Sequence, residues 1–254
     1  MLTRFEVRGF KSLVNATVDL GAVNIFIGAN GSGKSNLLEA IGFLGAVSAN
    51  GPEAESFRYR GIRLGVPSSF VSALVQHDLS EIFLSASKND SKYEGTFVTN
   101  SKRNDEWSIE LESIRLKGEV LADRNEEGLF VFGFDNPRPR PFHSLPSMKS
   151  INPFTELFFA MYRQEKEREH ERGGNEEAIS DINVEEYLYM INQLESYAIF
   201  TPSTPQLRGF LDDIQREPIG LGGSRLGRAI EEMVTIQPLP VRGGNGLGSV
   251  GVYR

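Results

Sequence analysis

Gly28-Ala-Asn-Gly-Ser-Gly-Lys-Ser35 follows the pattern G-x-x-x-x-G-K-[ST] without deviation. Its glycines let the backbone curl until successive N–H groups point inward, and a Cβ in the curl would obstruct the close approach of an anion. A helix opening at Gly33 adds unpaired N–H groups and the positive end of its dipole. Gly28, Ala29, Asn30, Gly31, Ser32 and Gly33 are therefore expected to cradle phosphate oxygens, with Asn36 closing the binding stretch. Lys34 adds a flexible point charge for the β- and γ-phosphates and is the expected catalytic cation. The Ser35 hydroxyl is the expected ligand of Mg2+, a hard cation that takes oxygen. The ligand implied is ATP in preference to GTP, because no Asn-Lys-x-Asp base-reading sequence occurs.

The flanks support this reading. Val23-Asn-Ile-Phe-Ile27 is nearly continuous apolar sequence, as expected of a strand buried on both faces. After Ser35 the period changes: Leu37, Ile41, Leu44 and Val47 share one helical face, and Leu38 broadens it. A glycine-rich turn with a chance lysine would not need both flanks. Further upstream, Phe5 and Val7 alternate with Arg4, Glu6 and Arg8. Val14, Ala16, Val18 and Leu20 alternate with Asn15, Thr17 and Asp19. This period of two on either side of Gly9-Phe10-Lys11-Ser12 predicts two antiparallel strands, each with one wet face.

Beyond the helix, strands are expected at Phe70–Val75, Glu81–Ala86, Tyr93–Thr99, Trp107–Ile114 and Leu129–Phe134. Five prolines between positions 135 and 153 mark an irregular connector. Helices are expected at Phe154–Arg172, whose charged second half reads as a solvated surface, and at Val184–Ser196. Gly243-Gly-Asn-Gly-Leu-Gly-Ser-Val-Gly251 has too little side chain for a core element and reads as a loop. The division is a strand-rich ATPase lobe over 1–150, a helical subdomain or insertion over 151–234, and a Gly-rich tail over 235–254.

The chain has 254 residues, 39% of them hydrophobic and 24% charged, an ordinary balance for a water-soluble fold. It has no cysteine, which rules out a disulfide framework and a Cys-ligated metal and fits a reducing cytoplasmic setting. No apolar run approaches the ~20 residues needed to cross a bilayer, so no membrane partner is expected. A net charge of −7 argues against coating nucleic acid over the whole surface but leaves room for a local basic face.

The segment Arg4-Phe-Glu-Val-Arg-Gly-Phe-Lys-Ser-Leu13, the following strand, and the run from Val23 through Lys34-Ser-Asn-Leu-Leu38 to Ile41 resemble the amino-terminal lobe of ABC-type ATPases of the SMC and RecF-like group. Within it they resemble the bacterial "AAA domain" ATPases, which include OLD-type nucleases and anti-phage defence proteins. Weaker likeness appears at Arg60–Pro67 and Ile199–Arg208. The resemblance implies an α/β P-loop NTPase fold: an ABC-type ATPase head lobe with a mixed, strand-rich sheet plus helical segments. It also implies ATP sandwiched between two heads, in a homodimer or with a head-to-head ATPase partner. DNA and an effector such as a nuclease are the further partners implied.

In that group a signature loop and a Walker B Asp-Glu pair complete the site. Leu129-Phe-Val-Phe-Gly-Phe-Asp135 ends in an acid but is followed by Asn136, and reads better as a strand end entering a Pro-rich turn. Leu221-Gly-Gly-Ser-Arg225 looks like a signature loop, yet no apolar strand follows, and an ordinary helix start capped by Ser224 is the simpler reading. Gln76 and Gln206 each follow a candidate strand, as a γ-phosphate-sensing glutamine does in the group; His77, His143 and His170 have no ligand spacing. Arg58, Arg60 and Arg63 beside Tyr59 form the most basic cluster available to nucleic acid. The lobe carrying signature and Walker B is thus expected to lie outside this sequence, so the chain alone should bind ATP and hydrolyse it poorly. The alternative is a regulatory module that senses ATP without hydrolysing it. A small-molecule kinase is disfavoured by the long strand-rich stretch after the loop helix.

Overall fold

The computed structural model describes residues 1–49, 51–74, 81–100, 106–125, 128–133, 136–141, 184–212, 214 and 216–236. The chain forms two compact units, Met1–Ile199 and Phe200–Arg254. In the first, β1 (Arg4–Phe10), β2 (Leu13–Asp19), β3 (Glu81–Lys88), β4 (Ser91–Asn100), β5 (Glu106–Leu116), β6 (Glu119–Asn125), β7 (Gly128–Gly133) and β8 (Asn136–Pro141) make one antiparallel sheet in the order β2-β1-β3-β4-β5-β6-β7-β8. The predicted hairpin is present: Phe10 pairs with Leu13 across a two-residue turn in which Lys11 takes the left-handed conformation, φ 49°. Its approach to β3 needs a glycine, because a Cβ on Gly9 would stand 2.4 Å from the Glu81 carbonyl oxygen.

The first unit also holds α1 (Lys34–Ala49), α2 (Ala54–Arg60), a 3-10 turn at Pro67–Phe70 and α3 (Val184–Ser196). From Leu37 to Ser48, α1 is buried at every position except Leu38, because the sheet covers one side and α2 and α3 flank it. Phe43 lies at the centre. Its ring stands 5.0–5.9 Å from those of Phe10, Phe57, Phe70, Phe97 and Trp107. On α3, Tyr187, Met190, Ile191 and Leu194 form the buried stripe expected at i, i+3, i+4 and i+7.

Helix α3 fits against α1 because Gly45 has no side chain: a Cβ there would lie 2.1 Å from the Leu194 carbonyl oxygen. Alanine is the better helix former by about 1 kcal/mol, so Gly45→Ala would stabilise a free helix. Here backbone meets backbone, and the sign reverses. Gly45→Ala should lower stability by about 1–3 kcal/mol, read as a lower urea midpoint. An unchanged or higher midpoint would mean that α3 does not sit this close.

A second pin is polar. Tyr93 on β4 donates its hydroxyl to the fully buried Glu112 on β5, which also pairs with Arg124 on β6. Burial pushes the Glu112 carboxyl above the ordinary range despite Arg124, and pushes the Tyr93 and Tyr187 phenols well above theirs.

Three expectations need correction. Residues 23–27 do not form a buried strand: among the described residues none pairs with them, and Val23, Ile25 and Ile27 are 82%, 80% and 91% exposed. Phe26 alone of the run packs on the core. A strand buried on both faces needs neighbours on both sides, and the described sheet ends elsewhere. Of Phe70–Val75, Phe70 ends a 3-10 turn that Pro67 opens with a helical φ, Val71 makes an isolated bridge to Phe10, and Val75 lies outside the described residues. The proline-rich connector begins with β8, where Pro137, Pro139 and Pro141 are accommodated on the last strand of the sheet. Strand β6 was not anticipated. The helix expected at Phe154–Arg172 and the Gly-rich tail lie outside the described residues. No helix among the described residues is long and apolar enough to cross a membrane.

In the second unit, α4 (Thr204–Leu207) and α5 (Leu226–Ile236) flank a glycine loop. Asp212 holds that loop, accepting from the Gly222 N–H at 2.9 Å and the Ser224 hydroxyl at 2.6 Å. Ser224 therefore serves Asp212 rather than capping α5.

Candidate nucleotide-binding site

The loop from Gly28 to Ser32 is open to solvent, and α1 begins at Lys34. Gly31 and Gly33 have φ of 82° and 91°, values that a side chain would strain. A Cβ on Gly31 would meet nothing within 4 Å, so its constraint is conformational, whereas one on Gly28 would stand 2.9 Å from the Ser32 hydroxyl. The Ser32 N–H donates to the Ala29 carbonyl at 3.2 Å and the Leu37 N–H to the Gly33 carbonyl at 2.9 Å, closing the curl onto the helix.

Lys34 folds back over this curl. Its Nζ donates to the carbonyls of Gly28 and Ala29, both at 2.7 Å, and to the Ser32 hydroxyl at 3.2 Å. All three acceptors are neutral, so the ammonium can turn to an anion without breaking an ion pair. These left-handed glycines and this loosely held cation fit a polyphosphate. Ser35 is an exposed residue, open to a cation in solvent. Among the described residues, no group of three or more His, Cys, Asp or Glu could hold a metal ion.

Asn36 is committed elsewhere. Its amide nitrogen donates to the Ser12 hydroxyl at 2.7 Å, and its amide oxygen accepts from Arg63 Nη2 at 2.9 Å. The β1–β2 turn thereby lies on the glycine loop: a Cβ on Gly33 would meet Leu13 Cδ2 at 3.0 Å and Ser12 Oγ at 3.2 Å. The two sequence marks of the family resemblance, Gly9–Ser12 and Lys34–Leu38, are thus in physical contact.

One turn further along α1, buried Glu39 accepts from Lys11 Nζ at 2.5 Å and from Arg63 Nε at 2.5 Å. Burial raises its pKa, but the hydrogen bonds from Arg63 and Lys11 outweigh burial and hold the carboxyl below the ordinary value. Sequence reasoning did not single out Ser12 or Glu39. The available signal was a lone acid in the otherwise apolar run Leu37–Leu44, three residues after Asn36 on the same helical face.

The basic cluster does not form one surface. Arg60 is buried and donates to the carbonyls of Ser56 and Glu195, Arg63 is bound to Glu39, and Arg58 and Tyr59 face solvent. Gln206 lies on α4, where its Cγ would meet a Cβ on Gly222. Gln76, His77, Asp135, His143 and His170 lie outside the described residues, and Asn136 opens β8.

Residues 23–156 match the family model described as "AAA domain, putative AbiEii toxin, Type IV TA system". The chain belongs to this family. It is an ABC/RecF-like P-loop family, and membership implies nucleotide binding in general terms. The matched region opens on the apolar run that leads into the glycine loop and takes in α1 and β3–β8.

Similarity to DNA replication and repair protein RecF of Rhodococcus erythropolis is 35% identity over 80 residues, 31% of this chain and 19% of that protein. RecF of Leifsonia xyli subsp. xyli is 30% identical over 89 residues, 35% of this chain and 22% of that protein. RecF of Clavibacter michiganensis subsp. michiganensis is 37% identical over 83 residues, 32% and 20% of the two chains. This AAA-domain chain thus matches about a fifth of the length of each of these relatives.

Proposed function

We propose that this chain is the nucleotide-binding lobe of an ABC-type ATPase head, taking MgATP at Gly28–Ser35 and relying on residues outside those described to hydrolyse it. The observation that carries the reading is the Lys34 ammonium gathered over a curl of left-handed glycines and held there only by neutral oxygens. The N–H groups of Gly28–Gly33 would hold phosphate oxygens, Lys34 would turn from its carbonyls to the β- and γ-phosphates, and Ser35 would take Mg2+. Bound Mg2+ would supply charge neutralisation at the phosphates.

Hydrolysis further needs an acid at the end of a strand beside the loop. The open run Val23–Ile27 is where such strands belong. Its exposed Val23, Ile25 and Ile27, and a backbone unpaired among the described residues, fit β-strands contributed from elsewhere, in the same protein or a partner head. The same open run favours the second reading, a sensor that binds ATP without turning it over. Likeness to RecF makes DNA a reasonable class of partner, with a nuclease-type effector as the alternative, and head-to-head dimerisation the means of completing the site.

Equilibrium binding and turnover of the purified chain test this proposal. We expect saturable, Mg2+-dependent ATP binding with less than about one turnover per minute, against the ~1–10^3 per second typical of complete enzymes. Absence of ATP binding would refute the loop assignment. Several turnovers per minute from monomeric chain would refute the need for outside strands.

A further inference from the structure

We infer that Glu39 is a positioning residue for nucleotide binding, acting through Lys11 and Arg63 to hold the β1–β2 turn and the loop after α2 against the phosphate-binding glycines. The inference rests on the reading of Gly28–Ser35 as a nucleotide site.

Glu39 is a charged side chain only 4% exposed on the most buried helix of the unit. A lone buried carboxylate is costly, and its two cations come from two different loops. Lys11 comes from the β1–β2 turn and reaches Glu39 Oε2 at 2.5 Å, with its ammonium 4.4 Å from the centre of the Phe70 ring. Arg63 comes from the segment after α2. It places Nε 2.5 Å from Glu39 Oε1 and Nη2 3.1 Å from Oε2, a two-pronged grip. The same Nη2 reaches Asn36 Oδ1 at 2.9 Å, and Asn36 in turn holds the Ser12 hydroxyl.

The result is a continuous polar chain from Arg63 through Asn36 to Ser12, anchored on Glu39. Its far end is the turn whose Ser12 and Leu13 lie against Gly33. Gly33 leads directly into Lys34 and Ser35, the groups assigned to phosphate and Mg2+. None of Glu39, Lys11, Arg63 or Asn36 has to touch the nucleotide for this to work. Their common effect is to fix the backbone at the second half of the loop, where a small displacement of preorganised donors costs affinity. The burial of Lys11 matches a pillar: its side chain is 16% exposed, whereas that of Arg63 is 66% exposed.

Arg63→Met is the principal test, because an exposed side chain can be changed without emptying the core. MgATP dissociation constants are measured by titration at a temperature where each variant is fully folded, beside thermal midpoints and amide exchange of the nucleotide-free chain. Arg63→Met and Glu39→Gln should each weaken MgATP binding about tenfold, the scale seen when supports of binding groups are removed. Exchange at residues 9–13 and 33–36 should quicken without nucleotide. Combining Arg63→Met with Asn36→Ala should weaken binding no more than the larger single change, since both break one chain. A purely structural Glu39 would lower the thermal midpoint and leave affinity and local exchange as in the wild type, which would overturn the inference. Should Glu39→Gln fail to fold, Arg63→Met with wild-type affinity overturns it equally. A wild-type chain that does not bind MgATP overturns the proposed function, and this inference with it.

Discussion

Lys34→Ala is expected to raise the MgATP dissociation constant about 100-fold or more while leaving the fold intact. A hydrogen bond to a charged group contributes about 1.5–3 kcal/mol, and the Lys34 ammonium is placed to make more than one with a triphosphate. Two such bonds correspond to a loss of at least about two orders of magnitude, since 1.4 kcal/mol is tenfold. Stability should hardly change. The nitrogen's present partners are the Gly28 and Ala29 carbonyls and the Ser32 hydroxyl, all on a solvent-open loop where water can replace it. Titration with MgATP beside a urea melt separates the two quantities. Retained affinity would remove Lys34 from the site, and a collapsed midpoint would make it a structural residue.

Phe43→Ala should produce the opposite pattern, a large loss of stability with affinity retained in whatever fraction stays folded. Phe43 is fully buried among five aromatic rings, and removing such a side chain costs about 3–5 kcal/mol through lost burial and the cavity left behind. In a domain worth about 5–15 kcal/mol this is a large fraction. Saturating MgATP should recover part of it, about 2.7 kcal/mol at 100 times the dissociation constant. Ile25→Ala in parallel calibrates the measurement: at 80% exposure it should cost less than about 0.5 kcal/mol. Comparable losses from the two substitutions would mean that residues 23–27 are buried after all.

The glycine loop could be read from the chain because its constraint is local. Gly31 and Gly33 take left-handed backbone, and the Lys34-Ser35 pair beside them completes the motif. The hairpin from Arg4 to Asp19 followed from its period of two, and the strands around Glu81–Lys88, Ser91–Asn100 and Glu106–Leu116 and the helix at Val184–Ser196 lie where the sequence placed them. Residues 23–27 failed that test. A continuous apolar run states that burial is wanted, not that the covering strands are at hand, and here Val23, Ile25 and Ile27 have none among the described residues. Strand β8 was obscured by its prolines, which only the edge position at the end of the sheet accommodates.

The sequence by itself therefore determined the glycine-rich loop motif, its helix and the family, because these depend on residues adjacent along the chain. Only the tertiary structure decided what surrounds the loop. Glu39 meets Lys11 from 28 residues upstream and Arg63 from 24 residues downstream, and Ser12 reaches Asn36 across 24. Such contacts have no period and no spacing rule. They exist because the buried helix α1 brings two distant loops to one carboxylate, which cannot stay buried and charged without them.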